Sequence, residues 1–438
     1  MRIQFWGDMA GTGFGTVTRD LGGALLALGH DVRFVSQNDL GEDLEEPFGS
    51  RTFRVTPELV DEGAARDYGL NSLSLTPESV LRLIRGELWA DGWHPDAAIV
   101  LGDFYNVRRM VQADAATEAA FASVPTFHYV PIEGVDLPPA LRSLWDIVTP
   151  VAMSEFGATE IERITGTRPA VVYHGVDTAQ FRPLTERSPV YIGERVARSR
   201  IDAKALFIEH HHVASCASPC PTPVTSWSKA RKIAASQRWI LRTDRFMPRK
   251  RYGSFLRALA PVLAQRPDTF LVIHCRSVDE GGNLEDLFSK YHPALRARML
   301  VTGFHDQIGG ASRDILTALY NAADVYASCS AEGFGLTIAE AIACGTPAVG
   351  MDYSSVPEVI GPAGLLAPVN RLDDNEYGYA WATVDEPAFG TAVALLLDDE
   401  LRRHALGRVG PEHVRSTFTW AHAAEQFAGL IPRMEAVA

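Results

Sequence analysis

The sequence is short of positive charge, of cysteine and of long apolar runs, and each shortage removes a class of function. Its 41 lysines and arginines face 54 aspartates and glutamates, a formal net charge of −13. Such a surface repels polyanions, which excludes broad non-specific binding to DNA or to an anionic membrane. Nucleic acid is therefore not expected as a partner, although a local basic patch leaves a modified base open as a substrate. Five cysteines scattered over 438 residues are an odd number and do not read as a disulfide framework. No apolar stretch approaches the roughly 20 residues of a membrane span. The N-terminal Met-Arg-Ile-Gln-Phe-Trp reads as a short strand entering Gly7 and not as a signal peptide. A cytoplasmic location is the expectation.

What is present is a globular composition, 46% hydrophobic, in a chain long enough for two domains of about 200 residues each. Apolar runs of strand length alternate with amphipathic helical patterns, twice over. The first series places strands at 3–6, 32–35, 97–101, 126–130, 147–153 and 171–173, with helices at 18–28 and 78–89. The second places strands at 239–241, 269–274, 299–302, 325–327 and 348–350, with helices at 252–264 and 312–322. Strand and helix in alternation predict parallel sheets wrapped by helices, an α/β class, with the two halves sharing a topology. A last helix is predicted over 419–434.

The most informative stretch is Glu332-Gly-Phe-Gly-Leu-Thr-Ile-Ala-Glu340, two carboxylates around a glycine-bearing turn that opens into a helix. Gly333 and Gly335 let backbone N–H groups approach a ligand, and the helix start near Thr337 offers unsatisfied donors to a phosphate. Carboxylates suit hydroxyl-rich ligands because they accept hydrogen bonds. The same residues also spell a capping box, Thr337 to Glu340, in which Glu340 merely satisfies an amide. Upstream, Arg242-Thr-Asp-Arg245-Phe-Met-Pro-Arg-Lys250-Arg251 forms a cationic turn directly after a strand. Arg245 supplies a planar fork and Lys250 a point charge, the two usual ways to neutralise phosphate oxygens.

Taken in order, Arg245-x4-Lys250, Glu332-x7-Glu340, Ala-Cys-Gly345-Thr-Pro347 and Val356-Pro357-Glu358 resemble the C-terminal half of the retaining GT-B glycosyltransferases of family 4. The resemblance extends to 1–39, Ser154-Glu-Phe-Gly157, Tyr173-His174-Gly175-Val176-Asp177 and Phe418-Thr-Trp420, and omits roughly 184–237. It implies two Rossmann-like domains facing a cleft that closes over a nucleoside diphosphate sugar, a UDP- or GDP-sugar. It implies domains at 1–183 (acceptor side) and 238–415 (donor side), an insertion or linker at 184–237 outside both cores, and a helix at 416–438 crossing back to the N-terminal domain. The implied roles are diphosphate binding by Arg245 and Lys250 and donor contacts by Gly333, Phe334, Gly335, Leu336 and Thr337. Glu340 would hold ribose hydroxyls and Glu332 would orient the sugar. Gly13 would lie near the diphosphate or the acceptor, and base recognition would run through backbone around 302–308. No cofactor and no divalent metal are required, because the cations are built into the protein.

Other motifs carry weaker readings. The turn Gly7-Asp-Met-Ala-Gly11-Thr-Gly13-Phe-Gly15 invites a dinucleotide fingerprint, but Thr16 stands where a third glycine should and no acidic residue ends the second strand. His128 follows a strand where members of the family often place a histidine near the transferred sugar; it reads equally as a structural histidine. Asp103, Glu133 and Asp136 are acceptor-side candidates. His210, His212, Cys216 and Cys220 offer zinc-favouring donor types, at a spacing that matches no standard site. A sugar-nucleotide epimerase or hydrolase on the same fold, or a binding protein with a degenerate site, are the alternatives to transfer.

Overall fold

The computed structural model describes residues 1–37, 44–209, 213–215, 224, 226–302 and 311–431. They form two compact units, one made of 1–175 with the segment from Thr419, the other of 176–418. The sequence reading had set these limits at 183 and 416.

In the first unit seven parallel strands, β1 (Arg2–Gly7), β2 (Asp31–Ser36), β3 (Thr52–Phe53), β4 (Ala97–Leu101), β5 (Thr126–Val130), β6 (Thr149–Ala152) and β7 (Ala170–Val171), lie in the order β3-β2-β1-β4-β5-β6-β7. The central strands read as continuous apolar runs; Ala97–Leu101 is buried at every residue, as a strand covered on both faces must be. Helix α1 (Gly13–Ala27) starts where the Thr12 hydroxyl accepts from the Gly15 amide at 3.0 Å. Gly15 is required there, since a Cβ would stand 1.8 Å from the Ala10 carbonyl oxygen. The C-terminal helix Trp420–Leu430 packs against α1, with Phe427 edge-on to Tyr129. The helix predicted over 78–89 is only Pro77–Ile84, because Gly86 at φ +79 turns the chain out of it.

The second unit repeats the topology. Its strands are β8 (Val213–Ser215), β9 (Arg238–Arg242), β10 (Thr269–Ile273), β11 (Met299–Thr302), β12 (Val325–Ala327), β13 (Ala348–Met351) and β14 (Gly364–Ala367), in the order β8-β11-β10-β9-β12-β13-β14. All pairs are parallel except β8 with β11. Setting that edge strand aside, this sheet runs third, second, first, fourth, fifth, sixth, the order of the first six strands of the first unit's seven-stranded sheet. Such an order reverses direction between its first and fourth strands, here β9 and β12, and ligands of open α/β sheets lie beyond the strand ends at that reversal. Ile240, Leu271, Ile273, Val325 and Ala327 from the strands pack with Phe255 and Leu259 of α3 (Tyr252–Gln265), and with Phe389 and Val393.

The segment 184–237 corrects the sequence reading: it is not an insertion outside the cores. Helix α2 (Arg200–Glu209) packs on α4 (Arg313–Ala322). Phe207 lies 6.4 Å, ring to ring, from Trp239. The buried Lys204 ammonium donates to Asp324 Oδ2 at 2.5 Å and to the Gln237 carbonyl at 2.7 Å, and β8 extends the sheet. Sequence patterning missed this because α2 carries buried charge and β8 is three residues long. The zinc candidates His210, His212, Cys216 and Cys220 lie outside the described residues, as does most of 302–308.

Candidate functional site

The loops that follow β9 and β12 stand side by side, since β9 and β12 are paired at Ile240 with Val325 and Leu241 with Tyr326. The first loop carries 243–251 and the second 328–335, so the cationic turn and the glutamate turn meet at the sheet's reversal point. Their contact is an ion pair: Lys250 Nζ donates to Glu332 Oε1 and lies 3.3 Å from Asp244 Oδ1. Lys250, Asp244 and Glu332 are 9%, 3% and 12% exposed at their side chains, so this cluster is held away from water. Ser330 donates to the same Glu332 oxygen at 2.8 Å, and the Glu332 amide donates to Ser354 Oγ at 3.0 Å. Ser355 Oγ lies 2.8 and 2.6 Å from the Glu332 and Phe334 carbonyl oxygens, between which its one proton is shared, and this holds the backbone of the glycine turn.

Gly335 has φ +103 and is the N-cap of α5 (Leu336–Ala343), with no side chain capping that helix. Positive φ suits glycine, and an uncapped first turn leaves its donors to a ligand or water. The capping-box alternative is excluded by this geometry: Thr337 lies inside the first turn, and its hydroxyl accepts from Tyr326 OH at 2.8 Å. Glu340 Oε2 accepts from Tyr320 OH at 2.6 Å. Thr243 Oγ1 lies 3.3 and 3.2 Å from the Tyr320 and Tyr326 hydroxyls, so a polar chain joins the loop after β9 to α4, β12 and α5.

Arg245 is placed differently from the expectation that it converges with Lys250. Its guanidinium turns to Asp279 at 2.8 and 3.1 Å and to Glu280 at 3.0 Å, and its side chain is 57% exposed. Of the two partners only Glu280 is exposed, at 58%, and an exposed pair contributes about 0–1 kcal/mol; Asp279 is 8% exposed and takes two of the guanidinium contacts. Arg242, read from sequence as part of the basic turn, is fully buried. Burial opposes its charge, but the Asp244 carboxylate overcomes this and raises its pKa. Burial likewise opposes ionisation of Asp244, and the charges of Lys250 and Arg242 hold that carboxyl below its ordinary range.

The first-unit candidates lie in β5, beyond the ends of β4 and β5 and at the start of α1. His128 is fully buried; its Nε2 bonds the Gly102 carbonyl at 3.0 Å and its Nδ1 accepts from Trp145 Nε1 at 3.2 Å. Burial lowers its pKa to about 4. Both ring nitrogens are thus engaged inside the sheet, the arrangement that the structural reading of this histidine expects. Asp103 accepts from Tyr105 OH at 2.9 Å beside the β4 end. Asp136 has φ +61 and its amide donates to Glu160 at 3.1 Å. Glu133 lies between β5 and Asp136. Gly13 opens α1, and a Cβ there would meet nothing within 4 Å. Asp8, missed from sequence, accepts from the Ala10 amide at 2.7 Å and from the Thr12 hydroxyl and so shapes that turn.

Sequence reasoning also missed Asp244, Ser328, Ser330, Ser354 and Tyr320. The spacing Ser328-x-Ser330-x-Glu332 was the available signal, since alternate residues of an extended segment share a side. Among the described residues no group of three or more His, Cys, Asp or Glu is arranged to hold a metal ion, and no helix is long and apolar enough to cross a membrane.

Residues 237–399 match the family model of glycosyl transferases group 1. The chain is 28% identical over 201 residues to a GDP-mannose-dependent monoacylated alpha-(1-6)-phosphatidylinositol monomannoside mannosyltransferase of Corynebacterium glutamicum, 43% of this chain and 45% of the relative. It is 38% identical over 118 residues to a D-inositol 3-phosphate glycosyltransferase of the same species, 26% of this chain and 25% of the relative. It thus spans less than half the length of these curated relatives. Among solved structures, sucrose-phosphate synthase from Thermosynechococcus elongatus superposes with TM-score 0.65 at 18% identity, covering 98% of both chains. Anabaena HepE in complex with UDP and glucose gives 0.65 at 14% identity, again over 98% of both. The fold is GT-B, two Rossmann-like α/β units.

Proposed function

We propose that this chain is a retaining glycosyltransferase that takes a nucleoside diphosphate sugar as donor. The observation that carries the reading is the meeting of Lys250 with Glu332 and the uncapped start of α5 at the reversal point of the second sheet. A cation, a glycine turn and a helix start within one loop pair suit a diphosphate. Lys250 meets the diphosphate directly, and Arg245 joins it by leaving Asp279 and Glu280. The Gly333–Thr337 backbone binds phosphate or sugar, Glu340 holds ribose hydroxyls, and Glu332 orients the sugar.

The bond from the anomeric carbon to the diphosphate oxygen breaks, the acceptor oxygen bonds that carbon on the same face, and the acceptor proton passes to the departing diphosphate. Stabilising the leaving charge by fixed cations is the main lever, and the cations require no metal. The donor named for the corynebacterial mannosyltransferase, GDP-mannose, is the first to test, beside UDP- and ADP-sugars, by thermal shift. Ligand at about 100 times its Kd stabilises by about 2.7 kcal/mol. A melting temperature unmoved by every nucleotide sugar and every free nucleoside diphosphate would sink the reading.

A further inference from the structure

Arg242 and Asp244 have no part in the proposed chemistry, yet they are the most deeply buried charged pair beside it. Arg242, the last residue of β9, donates from Nε to Asp244 Oδ2 at 2.9 Å and from its NH2 group to the Lys250 backbone carbonyl. Its guanidinium lies 4.0 Å from the Tyr252 ring centroid and 4.5 Å from that of Phe255, which fixes its plane. Asp244 is fixed in turn: Ser328 donates to Oδ2 at 2.9 Å, Ser330 Oγ lies 3.4 Å from the same oxygen, and Tyr252 OH donates to its backbone carbonyl at 2.6 Å. The other oxygen, Oδ1, lies 3.3 Å from Lys250 Nζ. Lys250 is therefore gripped at both ends, its carbonyl by Arg242 and its ammonium by Asp244.

We infer that the Arg242–Asp244 pair is a clamp that positions Lys250 for the donor diphosphate. The inference rests on the proposed role of Lys250. A lysine head on a four-carbon stem is otherwise free to rotate, and ordering it before binding removes that cost from the ligand's affinity. Glu332 alone cannot serve, because its carboxylate competes with the phosphate for the same ammonium. Asp244 holds the ammonium from below, bound to its own arginine and to Ser328, and remains in place when phosphate arrives. Arg242 and Asp244 are positioning residues; neither touches the donor.

The test is Asp244→Asn in the wild-type and Lys250→Met backgrounds, read by calorimetric affinity for GDP and for UDP. Separately, the rate at which an amine-acylating reagent modifies Lys250 is followed by peptide mass spectrometry without nucleotide. The clamp predicts about a tenfold loss of affinity in the wild-type background, equivalent to about 1.4 kcal/mol, no further loss in the Lys250→Met background, and faster acylation of Lys250. Equal loss in both backgrounds, or unchanged affinity in the wild-type background, overturns it. Unchanged acylation overturns it too. Should Asp244→Asn not fold, Arg242→Met with Asp244→Ser removes both charges together, a change that buried pairs often tolerate, and the same measurements apply. If the wild-type chain binds neither nucleotide, the donor reading fails while the acylation rate still decides whether Lys250 is clamped.

Discussion

Tyr320 of α4 donates its hydroxyl to the Glu340 carboxylate of α5 at 2.6 Å, so this carboxylate is held by a residue outside its own helix. A glutamate held by a buried tyrosine is aimed by the fold, whereas a capping glutamate would turn back to its own helix start.

Tyr320→Phe removes only the hydroxyl. A hydrogen bond to a charged group is worth about 1.5–3 kcal/mol, so nucleoside diphosphate affinity should fall roughly tenfold or more with the ring packing intact. Calorimetry beside a melting curve checks it. A lowered melting temperature with unchanged affinity would mean that the pair serves stability alone.

The two cations should not be equivalent. Lys250→Ala removes a largely buried charge and should lower transfer by about 100- to 1000-fold. Arg245→Ala should cost less, because that side chain is half exposed and must leave Asp279 and Glu280 before it can contribute. Initial rates for both variants, with excess chelator leaving the wild-type rate unchanged, are the measurement; a reversed order refutes the assignment.

Deleting residues 190–232 should abolish cooperative folding of the second unit. The deletion removes Lys204 and leaves Asp324 buried without that ammonium; breaking a buried pair costs about 3–5 kcal/mol. Lys204→Met alone should be destabilising by a similar amount in denaturant unfolding, and wild-type-like unfolding of either variant contradicts the placement of α2.

Acid should destabilise the first unit through His128. Its folded pKa of about 4 lies below the ordinary 6.5, so between those values the unfolded chain binds a proton that the folded chain does not. The stabilisation is complete above about pH 6.5 and is lost as pH falls toward 4. His174, lowered to about 3 by burial, adds to the same trend. In His128→Asn the calorimetric stability should lose about 1.4 kcal/mol per pH unit of its slope across that window. An unchanged slope would show that His128 is not the group responsible.

The alternating apolar runs determined the α/β class and the parallel core of both sheets, because short apolar runs such as Ala97–Leu101, set between amphipathic helical patterns, suit strands covered on two faces. The spacing of Arg245, Lys250, Glu332 and Glu340 was equally legible, since motif chemistry is local. Three-dimensional structure alone decided the rest. Whether Thr337 and Glu340 cap a helix depended on the backbone of Gly335 and on a tyrosine 20 residues away. Arg242 and Arg245 are identical in sequence terms, yet one is buried against Tyr252 and Phe255 and the other faces solvent and two carboxylates. Segment 184–237 looked detachable because its helix buries a lysine whose partner, Asp324, lies 120 residues away. Pairings over such distances leave no local trace; only the folded chain brings their charges together.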